Sequence, residues 1–171
     1  MSQNLKENTC DEHVFDELFR AHSKDLHNFL YYKFGAEYNP GDVVQDAFVK
    51  LWNNCQKVIP AKARSFLFTV ANNQMLNEIA RHKTVLNYRN EKPSVQTSES
   101  PQYIMEGNEY MDRLQKAIES LTEEQRVTLL MNRIEGKKHQ EIADMLGISR
   151  KAVEKRIYTA LNILKEKVGK I

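Results

Sequence analysis

The sequence predicts an all-α protein built from two small helical domains joined by a flexible linker. Apolar residues recur at helical spacing along most of the 171 residues, and no long strand-like alternation is present. Glycine and proline, which interrupt helices, number only 6 and 4. A third observation is a helix-turn-helix pattern near the C-terminus. The length suits one or two domains of this kind.

The stretch from Gly136 to Val168 carries that pattern. A short helix is predicted from His139 to Leu146, Gly147 can take the left-handed conformation that ends it, and Ser149 is a good N-cap for the next helix. Two helices joined by a glycine-containing turn form a helix-turn-helix. An apolar stripe then follows the second helix, formed by Val153, Ile157, Leu161, Leu164 and Val168.

The other face of this second helix is rich in charge. The candidate DNA-binding residues here are Ser149, Arg150, Lys151, Glu154, Lys155 and, at the margin of the face, Arg156. In the first turns of a recognition helix, Arg and Lys bond to guanine and Glu accepts from cytosine in the major groove. The alternative is a solvated basic face. The charges agree with the helix-turn-helix pattern and favour DNA binding.

The distribution of charge supports this interpretation, although the net charge is only +2. Residues 1–83 carry 10 basic and 10 acidic side chains, and residues 84–109 carry 2 and 4. Residues 110–171 carry 13 basic and 9 acidic side chains, a net charge of +4. The basic excess therefore accompanies the helix-turn-helix, as contact with phosphate requires.

Two helices are predicted in the N-terminal half. The first runs from Val14 to Phe34, with His22 on its buried stripe, where a satisfied core histidine is expected rather than a ligand. The second begins at the segment Asn39–Asp42, where Pro40 is tolerated in a first turn. Its apolar stripe is Val44, Ala47, Phe48, Leu51 and Trp52. Its polar side, with Asp42, Gln45 and Asp46, is either solvated or a docking surface.

A loop is predicted from Gln56 to Arg64, followed by a helix that Ser65 caps and that ends near His82. Thr69, Asn73, Asn77 and Arg81 recur every four residues and form a polar strip. Lys62, Arg64 and Phe66 lie just before it. A basic, aromatic-flanked loop beside a polar strip suits unpaired nucleic-acid bases, although ordinary packing is the alternative.

The remaining segments complete the two-domain layout. Thr84 to Glu109 lacks a sustained period and contains Pro93, Pro101 and Gly107, which predicts a flexible, mildly acidic linker. A helix is predicted from Tyr110 to Leu121. The sequence Thr122-Glu123-Glu124-Gln125 has the form of a capping box and starts another helix.

Several function classes lack support in the sequence. No apolar run of membrane-spanning length exists, and Met1 to Thr9 has no apolar core of a secretory signal. Cys10 and Cys55 are expected to be reduced thiols in a cytoplasmic protein. Cys10 and His13 have ligand-like spacing, but no second pair accompanies them, so no metal is expected. No nucleophile–base pair or phosphate loop is visible. We therefore expect binding rather than catalysis, without cofactor or small-molecule substrate.

Three motifs in this order resemble the extracytoplasmic-function sigma factors of bacterial RNA polymerase. DVVQDAFVKLW (Asp42 to Trp52) is similar to the family's helix that binds the polymerase clamp. ARSFLFTVANNQMLNEIARHK (Ala63 to Lys83) is similar to the segment that opens and reads the minus-ten element. LTEEQRVTLLMNRIEGKKHQEIADMLGISRKAVEKRI (Leu121 to Ile157) is similar to the reader of the minus-thirty-five element. The resemblance covers residues 14–168, nearly the whole chain.

The resemblance implies a role for each candidate residue. Asp42, Gln45, Asp46 and Phe48 would bind core RNA polymerase. Lys62, Arg64, Phe66, Asn73, Asn77 and Arg81 would contact the minus-ten element, with Asn73 near a flipped non-template base. Ser149, Arg150, Lys151, Glu154, Lys155 and Arg156 would contact the upstream element of promoter DNA. Family habit also implies an anti-sigma factor as a partner.

Two other functions are compatible with parts of the sequence. An ordinary helix-turn-helix regulator with an N-terminal sensing domain would bind duplex DNA alone, usually as a dimer on a palindrome. A footprint made without polymerase would favour it. A nucleic-acid enzyme would show metal-dependent turnover, but no residues in the sequence support one.

Overall fold

The computed structural model describes residues 8–89 and 106–169, and within those ranges it contains seven α-helices and no strand. The helices are α1 (Glu12–Phe34), α2 (Pro40–Asn53), α3 (Pro60–Arg89), α4 (Glu106–Glu119), α5 (Glu123–Arg133), α6 (His139–Leu146) and α7 (Arg150–Val168). The prediction of an all-α protein is confirmed. The two helices of the helix-turn-helix, α6 and α7, begin at the predicted residues, His139 and Arg150. The end of α6, at Leu146, is also as predicted.

The chain divides into two compact units, Met1–Lys83 and Thr84–Ile171. The N-terminal unit is built on the packing of α1 against α2. The connection between these helices is short and contains Gly35, with φ +83°, and Asn39, with φ +52°. The short connection makes the two helices antiparallel. The start of α1 therefore lies beside the end of α2, where the ring centroids of Phe15 and Trp52 are 5.0 Å apart.

The core of the N-terminal unit draws on all three of its helices. The side chains with no exposed surface include Leu26 and Leu30 of α1, Leu51 of α2, and Leu67 and Met75 of α3. Full burial of each such side chain contributes about 1.5–3 kcal/mol relative to exposure. The rings of Phe29 and Phe68, 5.1 Å apart, join α1 to α3.

The predicted bounds of α3 are wrong at both ends. The helix begins at Pro60 rather than after a loop ending at Arg64, and it continues to Arg89 rather than stopping near His82. Pro60 lies in the first turn, where its missing N–H costs nothing. Ser65 is inside the helix, and its hydroxyl donates to the carbonyl of Lys62 at 3.1 Å instead of capping the N-terminus.

The predicted linker is correspondingly too long. Its first six residues, 84–89, belong to α3, and its last four, 106–109, belong to α4. Local composition, with little apolar periodicity, did not reveal these helical ends. The central part of the predicted linker, residues 90–105, lies outside the residues that the structure describes.

The C-terminal unit is organised around α7, which packs against α4, α5 and α6. Its core includes Val127 and Met131 of α5, Ile142 of α6, and Val153 and Ile157 of α7, all buried. The capping box predicted at the start of α5 is present: Thr122 Oγ1 accepts from Gln125 N at 3.3 Å, and Gln125 Oε1 accepts from Thr122 N at 3.1 Å.

The turn of the helix-turn-helix has the predicted geometry. Gly147 adopts φ +66°, the left-handed conformation that ends α6. The Ser149 hydroxyl then caps α7 by accepting from Ala152 N at 3.2 Å. At the start of α6, Glu141 Oε2 accepts from Lys138 N at 2.7 Å. Lys138 has no side-chain acceptor, so this bond supplies only the glutamate half of a capping box.

The prediction of two free cysteines is wrong. Cys10 and Cys55, 45 residues apart in sequence, form a disulfide with a Cα–Cα distance of 5.0 Å. Composition could not reveal this pair, because only the antiparallel packing of α1 and α2 brings Cys10, two residues before α1, next to Cys55, two residues after α2. None of the helices in residues 8–89 and 106–169 is long and apolar enough to cross a bilayer.

His22 generates a prediction about pH. Burial lowers the pKa of this imidazole, the charge of Arg64 lowers it further, and Asp25 opposes them. A lowered pKa means that the folded state favours neutral His22, while the unfolded chain binds a proton near pH 6.5. The stabilisation is therefore present above about pH 6.5 and is lost as the pH falls below it.

We expect the free energy of unfolding of the N-terminal unit to fall less steeply between about pH 7 and pH 5 in His22→Gln than in the natural chain. Denaturant titrations followed by the fluorescence of Trp52, the single tryptophan, measure this unit alone. His27→Gln, which replaces an exposed histidine on the same helix, is the control and should retain the natural slope. Equal slopes for all three proteins would contradict the assignment.

Candidate nucleic-acid interface

A groove between α2 and α3 brings together residues that the sequence assigned to two different partners. Asp46, predicted to bind polymerase, lines it beside Asn73, Asn77 and Arg81, predicted to contact the minus-ten element. The groove has a volume of about 520 Å³. Because Asn73, Asn77 and Arg81 follow one another at intervals of four residues, they share a face of α3, and that face is exposed beside α2.

A hydrogen-bonded chain of three side chains joins the walls of this groove. Lys50 Nζ donates to Gln74 Oε1 at 2.8 Å, and Gln74 Nε2 donates to Asp46 Oδ2 at 2.7 Å. Gln74 therefore connects a cation and an anion of α2 through one amide on α3. The sequence analysis did not identify Gln74, because this residue lies outside the polar strip formed at four-residue intervals. It could have been found as a third consecutive polar residue after Asn72 and Asn73.

The helical extension of α3 changes the positions of Lys62, Arg64 and Phe66. Counting 3.6 residues per turn, Lys62 and Phe66 lie on the same face as Asn73, whereas Arg64 lies about half a turn away. Consistent with this, Arg64 is close enough to His22 of α1 to lower the pKa of that imidazole. The structure thus unites Lys62 and Phe66 with the polar strip and separates Arg64 from it.

The remaining polymerase candidates differ in exposure. Asp42 lines a second concavity of about 360 Å³, which shares Asp46, Gln74 and Glu78 with the first. Gln45 is exposed on α2 but lines neither concavity. Phe48 is only 3% exposed and its ring lies 4.8 Å from that of Phe19. A direct contact between Phe48 and a partner is therefore not supported, since this side chain is part of the core.

Asn72, the neighbour of Asn73, has a structural role. It faces α1, where its Oδ1 accepts from Lys33 Nζ at 2.7 Å. The same ammonium lies 5.6 Å from the ring centroid of Phe29 and 5.2 Å from that of Phe34. Asn72 therefore faces α1, whereas Asn73 faces the groove. Consecutive residues of an α-helix are rotated by about 100°, which explains the difference.

The predicted recognition face of α7 is exposed and carries an internal ion pair. Arg150 Nε lies 2.9 Å from Glu154 Oε1, and His139 Nδ1 of α6 lies 3.5 Å from the same oxygen. The hydrogen bond from Arg150 is the main cause that lowers the pKa of the Glu154 carboxyl, with smaller contributions from His139. Glu154 is therefore ionised at neutral pH. Lys151 and Lys155 are exposed on the same side of the helix.

Two residues of α7 differ from the sequence interpretation. Arg156 is 25% exposed and bonds across to α5, where its Nη2 lies 2.9 Å from Glu124 Oε2. It is thus turned away from Lys151 and Lys155. Tyr158, by contrast, is 69% exposed and lies one turn beyond Glu154, within the recognition face. Sequence reasoning missed Tyr158, whose signal was an aromatic side chain outside the apolar stripe.

These features define a class of protein: a helical factor with a basic helix-turn-helix in one unit and an exposed polar groove in the other. In the residues described, no group of three or more His, Cys, Asp or Glu side chains is placed to hold a metal. Comparison with known families gives the more specific assignment. The family described as Sigma-70 region 2 matches residues 18–85, and Sigma-70, region 4 matches residues 111–164. The two matches cover most of both units.

Individual relatives agree with this assignment. The ECF RNA polymerase sigma factor SigE of Mycolicibacterium smegmatis is 24% identical over 91% of this chain, which spans only 62% of SigE. The RNA polymerase sigma factor SigS of Staphylococcus aureus is 29% identical over 79% of this chain and 86% of its own length. A solved structure of CnrH in complex with the cytosolic domain of CnrY is 25% identical, with a TM-score of 0.55, covering 91% of this chain and 88% of CnrH.

The chain belongs to the sigma-70 family of transcription-initiation factors, in the extracytoplasmic-function group. The resemblance drawn from the three sequence motifs is thereby confirmed. The match to region 2 begins within α1 and contains α2 and most of α3, and the match to region 4 begins within α4 and ends within α7.

The bond between Arg156 and Glu124 leads to a prediction that separates packing from recognition. Arg156→Ala should lower the melting temperature of the C-terminal unit by a few degrees, as loss of a partly exposed ion pair costs up to about 1 kcal/mol. Glu124→Gln should lower it similarly, and neither change should alter the DNA sequence selected. Lys155→Ala should do the opposite, leaving the melting temperature unchanged and relaxing sequence preference.

Thermal melts followed by circular dichroism measure the first quantity, and selection of upstream sequences by reconstituted holoenzyme measures the second. The double variant Arg156→Ala/Glu124→Gln is the matched control, because a shared interaction makes its effect smaller than the sum of the two single effects. Additive effects, or an altered sequence preference in Arg156→Ala, would show that Arg156 acts outside this pair.

Proposed function

We propose that this protein binds core RNA polymerase, directs it to a specific class of promoters and assists DNA melting at the start of transcription. The main support is the presence of both family regions, each with an exposed polar surface on the expected helices. The N-terminal unit, residues 1–83, anchors the factor to polymerase and captures the minus-ten element. The C-terminal unit, residues 110–171, binds the upstream element, and residues 84–109 connect these functions.

Polymerase docking is assigned to the exposed polar side of α2. Asp42, Gln45 and Asp46 are all exposed there and are at or near the start of the helix. Two carboxylates on one face suit a basic partner surface, and complementary charge across an interface fixes register and accelerates encounter. Phe48 supports this face from beneath, because its burial against Phe19 holds α2 in place.

Capture of the minus-ten element is assigned to the exposed face of α3. Asn73 and Asn77 supply amides that can donate to and accept from base edges, Arg81 and Lys62 supply positive charge, and Phe66 supplies an aromatic side chain for stacking. Extrusion of a base from the duplex costs a few kcal/mol, which such contacts must offset. Arg64 is omitted from this surface, because it lies on the side of α3 near His22.

The upstream element is assigned to the N-terminal half of α7. Arg150, Lys151 and Lys155 are exposed on this half of the helix, and the first turns of a recognition helix contact base edges or phosphates in a major groove. Tyr158, also exposed, extends this surface by one turn. In the free protein Arg150 is held by Glu154. Binding to DNA therefore exchanges this internal ion pair for contacts with bases, such as Arg150 to guanine and Glu154 to cytosine.

The partners and location follow from this role. We propose that core RNA polymerase carries out the chemistry and that this chain contributes binding alone, without cofactor or small-molecule substrate. The protein then acts in the cytoplasm, where polymerase and promoter DNA are found. The likeness to CnrH, solved in complex with the cytosolic domain of CnrY, supports a further protein partner, which the family resemblance implies is an anti-sigma factor.

Reversing the charge of Asp46 tests the docking surface. Asp46→Arg should weaken binding to core polymerase at least tenfold, because like charges then face each other and such juxtaposition costs several kcal/mol. Fluorescence anisotropy of labelled protein titrated with core polymerase measures the affinity. Glu17→Arg, a charge reversal at an exposed position of α1 outside both concavities, is the matched control and should bind normally. A folded Asp46→Arg variant with unchanged affinity excludes the assigned surface.

Replacing Asn73 tests base capture separately from docking. Asn73→Ala should reduce run-off transcription from a duplex promoter about tenfold to a hundredfold, since one base contact is worth about 1–3 kcal/mol. Binding to core polymerase should be unchanged. A template already unpaired at the minus-ten element should restore most of the activity, because it removes the cost of unpairing. If Asn73→Ala transcribes the duplex as well as the natural chain does, this face of α3 does not capture the base.

A further inference from the structure

The disulfide between Cys10 and Cys55 fastens the segment before α1 to the connection between α2 and α3. A second contact lies beside it: Thr9 is 1% exposed, and its hydroxyl donates to the carbonyl of Val58. Two neighbouring residues, Thr9 and Cys10, thus hold both ends of the segment Cys55–Val58. All four residues lie outside the three sequence motifs.

We propose that Cys10 and Cys55 form a reversible thiol-oxidation site that controls promoter opening, with the disulfide as the more active state. This proposal rests on the proposed function, which places the chain with RNA polymerase in the cytoplasm. Disulfides in that compartment are normally reduced, and those that form are usually transient and redox-sensing. A permanent structural staple would be unusual there.

The position of the pair makes it accessible and consequential. Cys10 and Cys55 are both partly exposed, so small thiols and oxidants can reach them. The cross-linked segment Cys55–Val58 is followed closely by Pro60, the first residue of α3, and Lys62 lies two residues further on. The bond therefore holds the end of α3 that begins the strip Lys62–Phe66–Asn73 assigned to the minus-ten element.

The physical effect of the bond is to pre-organise this end of α3. In the oxidised chain, the connection is cross-linked at Cys55 and hydrogen-bonded at Val58. Reduction removes the covalent bond and leaves the hydrogen bond from Thr9 to Val58 between the segment before α1 and the α2–α3 connection. Residues 54–59 then gain conformational freedom. Binding of single-stranded DNA must restrict that freedom again, which weakens capture of the minus-ten element. Docking through α2 does not require this restriction.

The reaction is a two-electron oxidation with a peroxide or a disulfide as oxidant. With hydrogen peroxide, one Cys thiolate attacks a peroxide oxygen, the O–O bond breaks, and a sulfenic acid and hydroxide form. The hydroxide takes up the proton that the thiol released and becomes water. The second thiol then attacks the sulfenic sulfur, the S–S bond forms, and a second water leaves. Two thiols lose two protons and two electrons, and the peroxide is reduced to two waters. A thiol such as glutathione or dithiothreitol reverses the process by exchange.

The experiment compares run-off transcription by reconstituted holoenzyme containing the natural chain, either oxidised with hydrogen peroxide or reduced with dithiothreitol. The excess reagent is removed before polymerase is added. Thiol alkylation and mass measurement establish the state of the pair, and its equilibrium is measured across defined ratios of reduced to oxidised glutathione. Cys10→Ser/Cys55→Ser is the matched variant, since it resembles the reduced chain and cannot be oxidised.

We expect reduction to lower transcription from a duplex promoter about threefold to tenfold and reoxidation to restore it, with unchanged affinity for core polymerase. These fold-changes correspond to about 0.7–1.4 kcal/mol, since a tenfold change is about 1.4 kcal/mol. The Cys10→Ser/Cys55→Ser variant should stay at the reduced level under both treatments. A template unpaired at the minus-ten element should largely remove the difference between the two states.

Several results would overturn the proposal. Equal transcription by the oxidised and reduced chains would do so, as would a pair that stays oxidised at cytoplasmic glutathione ratios. All assays are run at a temperature at which circular dichroism shows both forms folded. If no such temperature exists, the bond is a structural staple and not a switch. Failure of both states to bind polymerase or to transcribe would instead refute the proposed function, while alkylation would still report whether the pair is reversible.

Discussion

The antiparallel packing of α1 against α2 is the constraint on which the N-terminal unit depends. The short connection with two residues at positive φ, Gly35 and Asn39, turns the chain back on itself. The fold then has one open side, which α3 fills with Leu67 and Met75. The same reversal brings Cys10 to Cys55 at one end of the helix pair. The proximity of the two cysteines is thus a consequence of this turn.

Helical periodicity explains why much of the fold was predictable. Charged and apolar side chains of α6 and α7 follow the 3.6-residue period of a helix. Gly147 ends α6 as a C-cap, and Ser149 begins α7 as an N-cap. The starting residues of these two helices and the end of α6 were therefore predicted correctly. The start of α3 was not, because Pro60 was interpreted as part of a loop that ends at Arg64, whereas it is the first residue of the helix. Proline is compatible with either position.

The sequence predicted many residues of the candidate site but not how residues from different helices come together. The strip Asn73–Asn77–Arg81 follows from spacing along one helix, as does its exposure. Its proximity to Asp46 does not, because the relative rotation of two packed helices is set by contacts distant in sequence. The same reason hid the cystine and the bond between Arg156 and Glu124. Periodicity predicts the face on which a residue lies, and tertiary packing decides which other face it meets.

The amide of Gln74 gives the groove a property that no ionisable side chain at that position could give. A carboxylate there would accept from Lys50 but repel Asp46, and an ammonium would do the reverse. The neutral amide satisfies a donor and an acceptor at once, with 2.8 Å and 2.7 Å bonds. The chain of hydrogen bonds across the groove therefore passes through a side chain that has no titratable group.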